Sequence, residues 1–208
     1  MTRSNIIQLK TLTWLACLWP LGILIWGAVM NRLGPDPIAT ITFSTGSTTL
    51  NLLTISLAVT PLRRTVKPLG WIGPWRKIIG LFAFFYATLH LFTWIALYCG
   101  FNVQSMAADF VKRRYITMGL TAWLLLLPLA ATSFNWAIRK MGGKRWKALH
   151  RLVYVAAVCG VIHYWWQVKP GVLAPIWITI ILAVLLAARP VLDWIQDRKP
   201  RTAAYSRG

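Results

Sequence analysis

The feature that most constrains this chain is the spacing of its charges. Long stretches carry none, and the basic residues collect in the short segments between them. A run of about 18 or more uncharged, mostly apolar residues is long enough to cross a bilayer as a helix. In hydrocarbon every backbone N–H and C=O must be paired within the segment, so such runs are helical. Six runs qualify: Leu12–Met30, about Gly46–Leu62, Ile78–Gly100, Tyr115–Ile138, about Ala148–Val168 and Val172–Ala188. The second is the weakest, because Thr45, Ser47, Thr48 and Thr49 make its start polar. Pro20, Pro128 and Pro175 are tolerable inside such helices, where neighbouring helices satisfy the freed carbonyls. The expectation is an all-α protein, a six-transmembrane helix bundle over residues 12–192. A short segment, 1–11, precedes it and a polar tail, 193–208, follows it, both in the cytoplasm.

The charge balance supports that orientation. Lys and Arg number 23 against four acids, for a net charge of +19. In a soluble domain this would point to nucleic acid. Here the basic residues flank apolar runs, where topology rules place them, and no folded basic surface remains for nucleic acid. With the N-terminus inside, 18 of the 23 fall on the inner side. Only Arg32, Lys112, Arg113, Arg114 and Lys169 fall outside. Trp94 and Tyr98 close the third span on the outer side, and Tyr164, Trp165 and Trp166 close the fifth, as aromatic belts do. The first run follows Arg3 and Lys10 in the charge order of a signal peptide. It is too long for an h-region and lacks an A-x-A site, so it reads as a retained span.

The chemistry narrows to histidine. Asp36, Asp109, Asp193 and Asp197 all lie in connections or the tail, and no ionisable carboxylate, Lys or Arg lies deep in a run. Ion-coupled transporters usually need such groups at membrane depth. Paired carboxylates, a nucleophile elbow, a P-loop and G-x-G-x-x-G are all absent from the sequence. Cys17, Cys99 and Cys159 are far apart and form neither C-x-x-C nor C-x-x-C-H, which leaves them as small core residues. His90 follows Lys77 by 13 residues and His163 follows Lys147 by 16, so each lies about 20 Å or more into a span running in the same direction. Two imidazoles on separate helices at one depth are what a bis-histidine haem requires. Gly160 and Ala83, one and two turns before these histidines, are small enough to admit a porphyrin edge or to serve plain helix packing.

His150 stands in KRWKALHR, 13 residues before His163. That is about 20 Å, the spacing of a second cofactor, but an ideal helix sets the two side chains about 140° apart. They share a face only if the helix is irregular, and a solvated histidine is an equal reading. Around it Arg63, Arg64, Arg76, Lys77, Lys144, Arg145 and Lys147 offer countercharge to haem propionates or a flavin phosphate, or serve topology alone. The competing functions are a transporter or channel with histidines as polar glue, and a passive membrane anchor.

Four stretches in order are GPDP with TGSTTLNLLTISLAVTPLRR, RKIIGLFAFFYATLHL, KRRYITMGLTAW, and WKALHRLVYVAAVCGVIHYWWQVK, spanning about residues 34–169. In these the chain resembles the haem-binding membrane subunits of bacterial protein-methionine-sulfoxide reductase systems, the MsrQ/YedZ family, within the ferric-reductase-like transmembrane group. The resemblance implies b-type haem, with FMN also bound, in the bacterial inner membrane. It implies electrons drawn from the quinone pool or a cytoplasmic flavin reductase. They would pass to a periplasmic molybdopterin enzyme that reduces methionine sulfoxide in oxidised proteins. His90, His150 and His163 fall on the family's three histidine positions and are the implied iron ligands. Arg64, Arg76, Lys77 and Arg145 are the further candidate cofactor contacts. Two-haem members of the wider group carry another histidine 13 or 14 residues before the outer one on the third span. Lys77 and Arg76 stand there instead. The inner site is therefore expected to hold a singly ligated haem, a flavin or a quinone. No FAD/NADPH domain accompanies the bundle, so the chain reads as an electron-transfer subunit needing an external donor, not a self-sufficient enzyme.

Overall fold

A computed structural model describes residues 3–169 and 171–197. Among the described residues the regular structure is entirely helical, in the order α1 (Arg3–Val29), α2 (Pro37–Thr65), α3 (Trp75–Thr93), α4 (Val103–Lys112), α5 (Arg114–Ala131), α6 (Asn135–Met141), α7 (Gly143–Leu149), α8 (Leu152–Gln167) and α9 (Ala174–Asp197). A 3₁₀ turn, Lys67–Ile72, leads into α3, and a π-helical turn, Trp94–Tyr98, extends it. Boundaries follow local chemistry. Asp36 caps α2 by accepting from the Ala39 amide at 2.9 Å, with Pro37 in the first turn, where its missing N–H costs nothing. Gly142, at φ 76°, ends α6 in a conformation that glycine adopts freely.

Five segments are long and apolar enough to cross a membrane: Asn5–Val29, Trp75–Tyr98, Arg114–Ala131, Gly143–Gln167 and Ala174–Ile195. This corrects the count of six by apolarity. The helix left out is α2, which at 29 residues is about 43 Å long but too rich in Thr, Ser and Asn. Other limits also move. α2 starts at Pro37, well before Gly46, and the fourth span ends at Ala131, where Thr132–Phe134 separates it from α6. Residues 103–112, expected as a loop, form a helix. The expected tail begins as helix, since α9 continues to Asp197; residues 198–208 lie outside the described part.

The core forms where α2, α3, α5 and α8 meet. Leu53 and Leu57 of α2, Ala83 and Ala87 of α3, Leu126 and Leu129 of α5, and Ala156, Ala157 and Val161 of α8 are buried together, joined by Leu182 of α9. Alanines at these faces let helix backbones approach closely, which is how helices associate where lipid already solvates apolar side chains. Ala83 is fully buried in this core, so its smallness serves packing and not a porphyrin edge.

The outer helices attach through polar bonds. Pro20 has no amide hydrogen and interrupts the ladder of α1. Nearby, the buried Tyr86 hydroxyl donates to the Cys17 carbonyl at 2.8 Å and accepts from the Leu21 amide at 3.1 Å. Trp75 adds an indole bond to the Thr13 hydroxyl at 2.8 Å. α9 is held by Arg189, which donates to the Leu57 carbonyl at 3.0 Å and to the Tyr154 hydroxyl, with its guanidinium over the Tyr154 ring. The outward faces of α1 and α9 carry exposed Trp14, Trp19, Trp26, Ile180 and Val184, as suits contact with lipid.

Replacing the Tyr86 hydroxyl removes the partner of two backbone groups that water cannot reach. Tyr86→Phe should therefore destabilise the protein by about 1–3 kcal/mol. Thermal unfolding in detergent micelles measures this, and an unchanged midpoint would show that the hydroxyl does not hold α1.

Candidate cofactor site

His90 lies near the end of α3 and His163 near the end of α8. Their rings come together with centroids 5.8 Å apart and planes at 83°. Each ring is fixed by a carbonyl from a third or fourth helix. The His90 Nδ1 is 3.0 Å from the Thr42 carbonyl of α2, and the His163 Nδ1 is 2.6 Å from the Tyr115 carbonyl of α5. A carbonyl only accepts, so each Nδ1 must carry the hydrogen and donate it. In the neutral imidazole this leaves Nε2 with its lone pair free. That tautomer can ligate a metal through Nε2, and the carbonyl bond raises its basicity. Thr45, buried beside His90 with its hydroxyl 3.3 Å from Nδ1, completes that ring's polar surroundings.

Glycine makes this approach possible. A Cβ on Gly46 would stand 2.9 Å from His90 Cε1, and a Cβ on Gly119 would stand 2.7 Å from His163 Nδ1. Both glycines lie inside helices, where glycine is disfavoured by about 1 kcal/mol against alanine, so the space they leave is their use.

The two histidines line a cavity of about 460 Å³, within the usual range for cofactor pockets. Its walls are mainly apolar, with Leu50, Leu53, Ala87, Leu126 and Gly160 among them, and its mouth carries Tyr98, Arg113 and Gln167. Metal–imidazole bonds are about 2 Å long, so two rings on opposite sides of one ion have ligating nitrogens about 4 Å apart. Each ring centroid lies about 1 Å behind its nitrogen, so the observed centroid separation of 5.8 Å is close to the roughly 6 Å that such a pair would show. Two ligand-competent imidazoles, a mainly apolar slot and glycine clearance fit a haem. Among the described residues there is no cluster of three or more His, Cys, Asp or Glu, so a polydentate metal site is not what the pair belongs to.

His150 occupies a second cavity of about 300 Å³. The helix is broken at this point: α7 ends at Leu149, and α8 begins at Leu152. The break removes the ideal-helix angle that set His150 and His163 apart. Thr132 gives its one hydroxyl hydrogen to the Pro128 carbonyl at 2.6 Å, so toward His150 Nε2, at 3.2 Å, it accepts. The hydrogen of neutral His150 is then on Nε2, and the free lone pair is on Nδ1, opposite to the tautomer of the other two. Trp146 stacks on the ring at 3.9 Å, and its indole nitrogen donates to the Thr132 carbonyl.

Of the expected basic contacts, Arg76 and Lys77 line this cavity together with Arg63. Arg64 instead pairs with Asp193 of α9 at 2.5 Å, and Arg145 is not among the lining residues. Leu53 and Leu126 belong to the walls of both cavities, so two leucines separate the two sites. Sequence reasoning missed Thr42, Gly46, Tyr115, Gly119 and Trp146. The glycines left a signal, since a glycine inside an apolar helical run implies a close approach. The carbonyls left none, because any residue supplies one.

Residues 44–161 match the family model described as the ferric reductase like transmembrane component, a segment holding His90 and His150 and ending just before His163. The chain is 43% identical over 198 residues to the protein-methionine-sulfoxide reductase heme-binding subunit MsrQ of Herminiimonas arsenicoxydans, covering 94% of this chain and 90% of that one. It is 41% identical to the subunit of the same name from Ralstonia nicotianae, covering 99% and 94%. Against that of Rhodospirillum rubrum the identity is 49%, covering 85% and 84%.

The glycine argument is directly testable. Gly119→Ala should push the His163 ring off the Tyr115 carbonyl and abolish low-spin haem absorption in purified protein that still folds by circular dichroism. Gly22→Ala, where an added Cβ meets nothing within 4 Å, should leave the absorption unchanged. Equal spectra in the two variants would refute the clearance role.

Proposed function

This chain belongs to the ferric-reductase-like transmembrane family and, within it, to the haem-binding subunits of protein-methionine-sulfoxide reductases. On that premise we propose that it carries electrons through a bacterial inner membrane to a periplasmic molybdopterin enzyme that repairs oxidised methionine. The observation that carries this reading is the His90–His163 pair, with both Nδ1 hydrogens committed to carbonyls and both Nε2 atoms free. α2 completes the bundle as its sixth span, and the basic excess beside Arg63, Arg76 and Lys144 sets both termini in the cytoplasm.

His90 and His163 would hold the haem iron from two helices. Haem bound there would supply a one-electron couple whose potential would depend on the ligating imidazoles, burial and nearby hydrogen bonds. The Thr42 and Tyr115 carbonyls orient the rings and increase their electron donation. Leu50, Leu53, Ala87 and Leu126 keep water away from the ring faces. Arg113, already paired with Asp109, stands at the mouth, where a propionate or the periplasmic partner arrives.

The second cavity receives the donor-side group. Arg63, Arg76 and Lys77 line it with no carboxylate among its residues. Uncompensated positive charge favours an anionic cofactor over a neutral one. That supports FMN ahead of a quinone, and Arg63, Arg76 and Lys77 would hold its phosphate. A group held there would take electrons from the quinone pool or a cytoplasmic flavin reductase.

Protein purified in detergent should show a reduced b-type spectrum with low-spin bands. His90→Ala and His163→Ala should each lose the outer-site signal, and His150→Ala should keep it. Colourless wild-type protein, or normal spectra in both outer variants, would overturn the proposal. Acid extraction should release flavin from wild-type protein and less from Arg76→Ala, and a flavin-free extract would remove FMN from the second cavity.

A further inference from the structure

Between α3 and α5 the chain makes a helix that the bundle barely touches. Gly100 and Phe101, at φ 55° and 60°, turn it out of the π-helical end of α3. Asn102 then caps α4 by accepting from the Ser105 amide at 2.9 Å. With ten residues α4 is about 15 Å long, half of what a span needs. Its apolar residues, Val103, Met106, Ala107, Phe110 and Val111, repeat at helical spacing along one side. Yet Val103 is 69% and Val111 82% exposed. Ser105, Ala108 and Lys112 take the opposite side, and Met106 and Asp109 are the least exposed positions, facing the bundle.

Three flanks therefore meet three environments. We infer that α4 lies in the plane of the membrane surface, its apolar side in lipid and its polar side in water, and latches the mouth of the haem cavity. Lipid is the occupant because the apolar side continues an existing lipid-facing surface. Exposed Phe92 of α3 packs against exposed Phe101 at 5.8 Å, just before α4, and Trp94 and Tyr98 lie at the same level. Lys112, Arg113 and Arg114 follow at its end, as countercharges to lipid phosphates.

The latch runs through Asp109. It accepts from the Trp94 indole at 3.2 Å and pairs with Arg113 at 3.0 Å, and Arg113 donates to the Tyr115 hydroxyl at 3.0 Å. Trp94, Arg113 and Tyr115 all line the cavity, and the Tyr115 carbonyl holds His163. Where the lipid surface holds α4, it holds this edge too. The placement of α4 requires the bundle to span a membrane but does not require haem to be bound.

The test is a nitroxide scan of residues 103–112, one cysteine at a time, with Cys17, Cys99 and Cys159 replaced by alanine. The full chain is placed in vesicles of phosphatidylcholine and phosphatidylglycerol. Collision with oxygen relative to a water-soluble nickel chelate should be several-fold higher at 103, 107 and 110 than at 105, 108 and 112. Uniform access to nickel along the helix would overturn the inference, and would mark the apolar side as open to a protein partner instead. As an independent measurement, V103D/V111D should raise trypsin cleavage at Lys112–Arg114 several-fold in the same vesicles, while A108D should not. Equal cleavage in the two would also overturn it.

Discussion

The arrangement depends on two hydrogen bonds, each from an imidazole Nδ1 to a backbone carbonyl of a neighbouring helix. One joins α3 to α2 through His90 and Thr42, and the other joins α8 to α5 through His163 and Tyr115. Each bond fixes a tautomer, a ring orientation and a distance between two helices. To make it, the paired helices must approach until an imidazole fills the space where a side chain would stand. Gly46 and Gly119 supply that clearance, and Ala83, Ala87, Ala156 and Ala157 carry the close packing along the rest of the interfaces. The core and the site are thus one construction, because the small residues that let the helices pack also let the rings meet.

The two cavities differ in kind. The larger one is apolar, with a histidine from each of two helices. The smaller one has a single histidine, covered on one face by Trp146, and cations from α2 and α3. Leu53 and Leu126 form the partition. The break between α7 and α8 turns His150 into its own cavity, while α8 continues as regular helix to His163.

Much of this was legible in the chain. Five of the six spans read from apolar length are helices long and apolar enough to cross a membrane, and the shared depth of His90 and His163 anticipated rings now seen 5.8 Å apart. The rest was hidden for specific reasons. α4 alternates too briefly to stand out beside spans twice its length, and its turn depends on left-handed residues at Gly100 and Phe101. Which arginines face a cavity was also hidden. Arg64 and Arg63 are adjacent in sequence and so point in different directions on α2, one to Asp193 and the other to the cavity. Basic clustering reports topology equally for both and cannot separate them.

The helix that hydropathy undervalues is the one that builds the site. α2 carries Thr42, Thr45, Thr49, Ser56 and Thr60, and the mean apolarity falls accordingly. Those hydroxyls have partners. Thr42, Thr45 and Thr49 return their hydroxyls to carbonyls one turn back. Ser56 donates to the Arg76 carbonyl, and Thr60 accepts from the Arg76 guanidinium. Hydroxyls satisfied this way cost a membrane helix little, and they put polar atoms where a ring nitrogen or a cation needs one. A more apolar α2 would score better as a span and leave His90 and Arg76 without their side-chain oxygens. Low hydropathy at this helix is therefore the signature of its work, and a local rule is broken here because the site requires it.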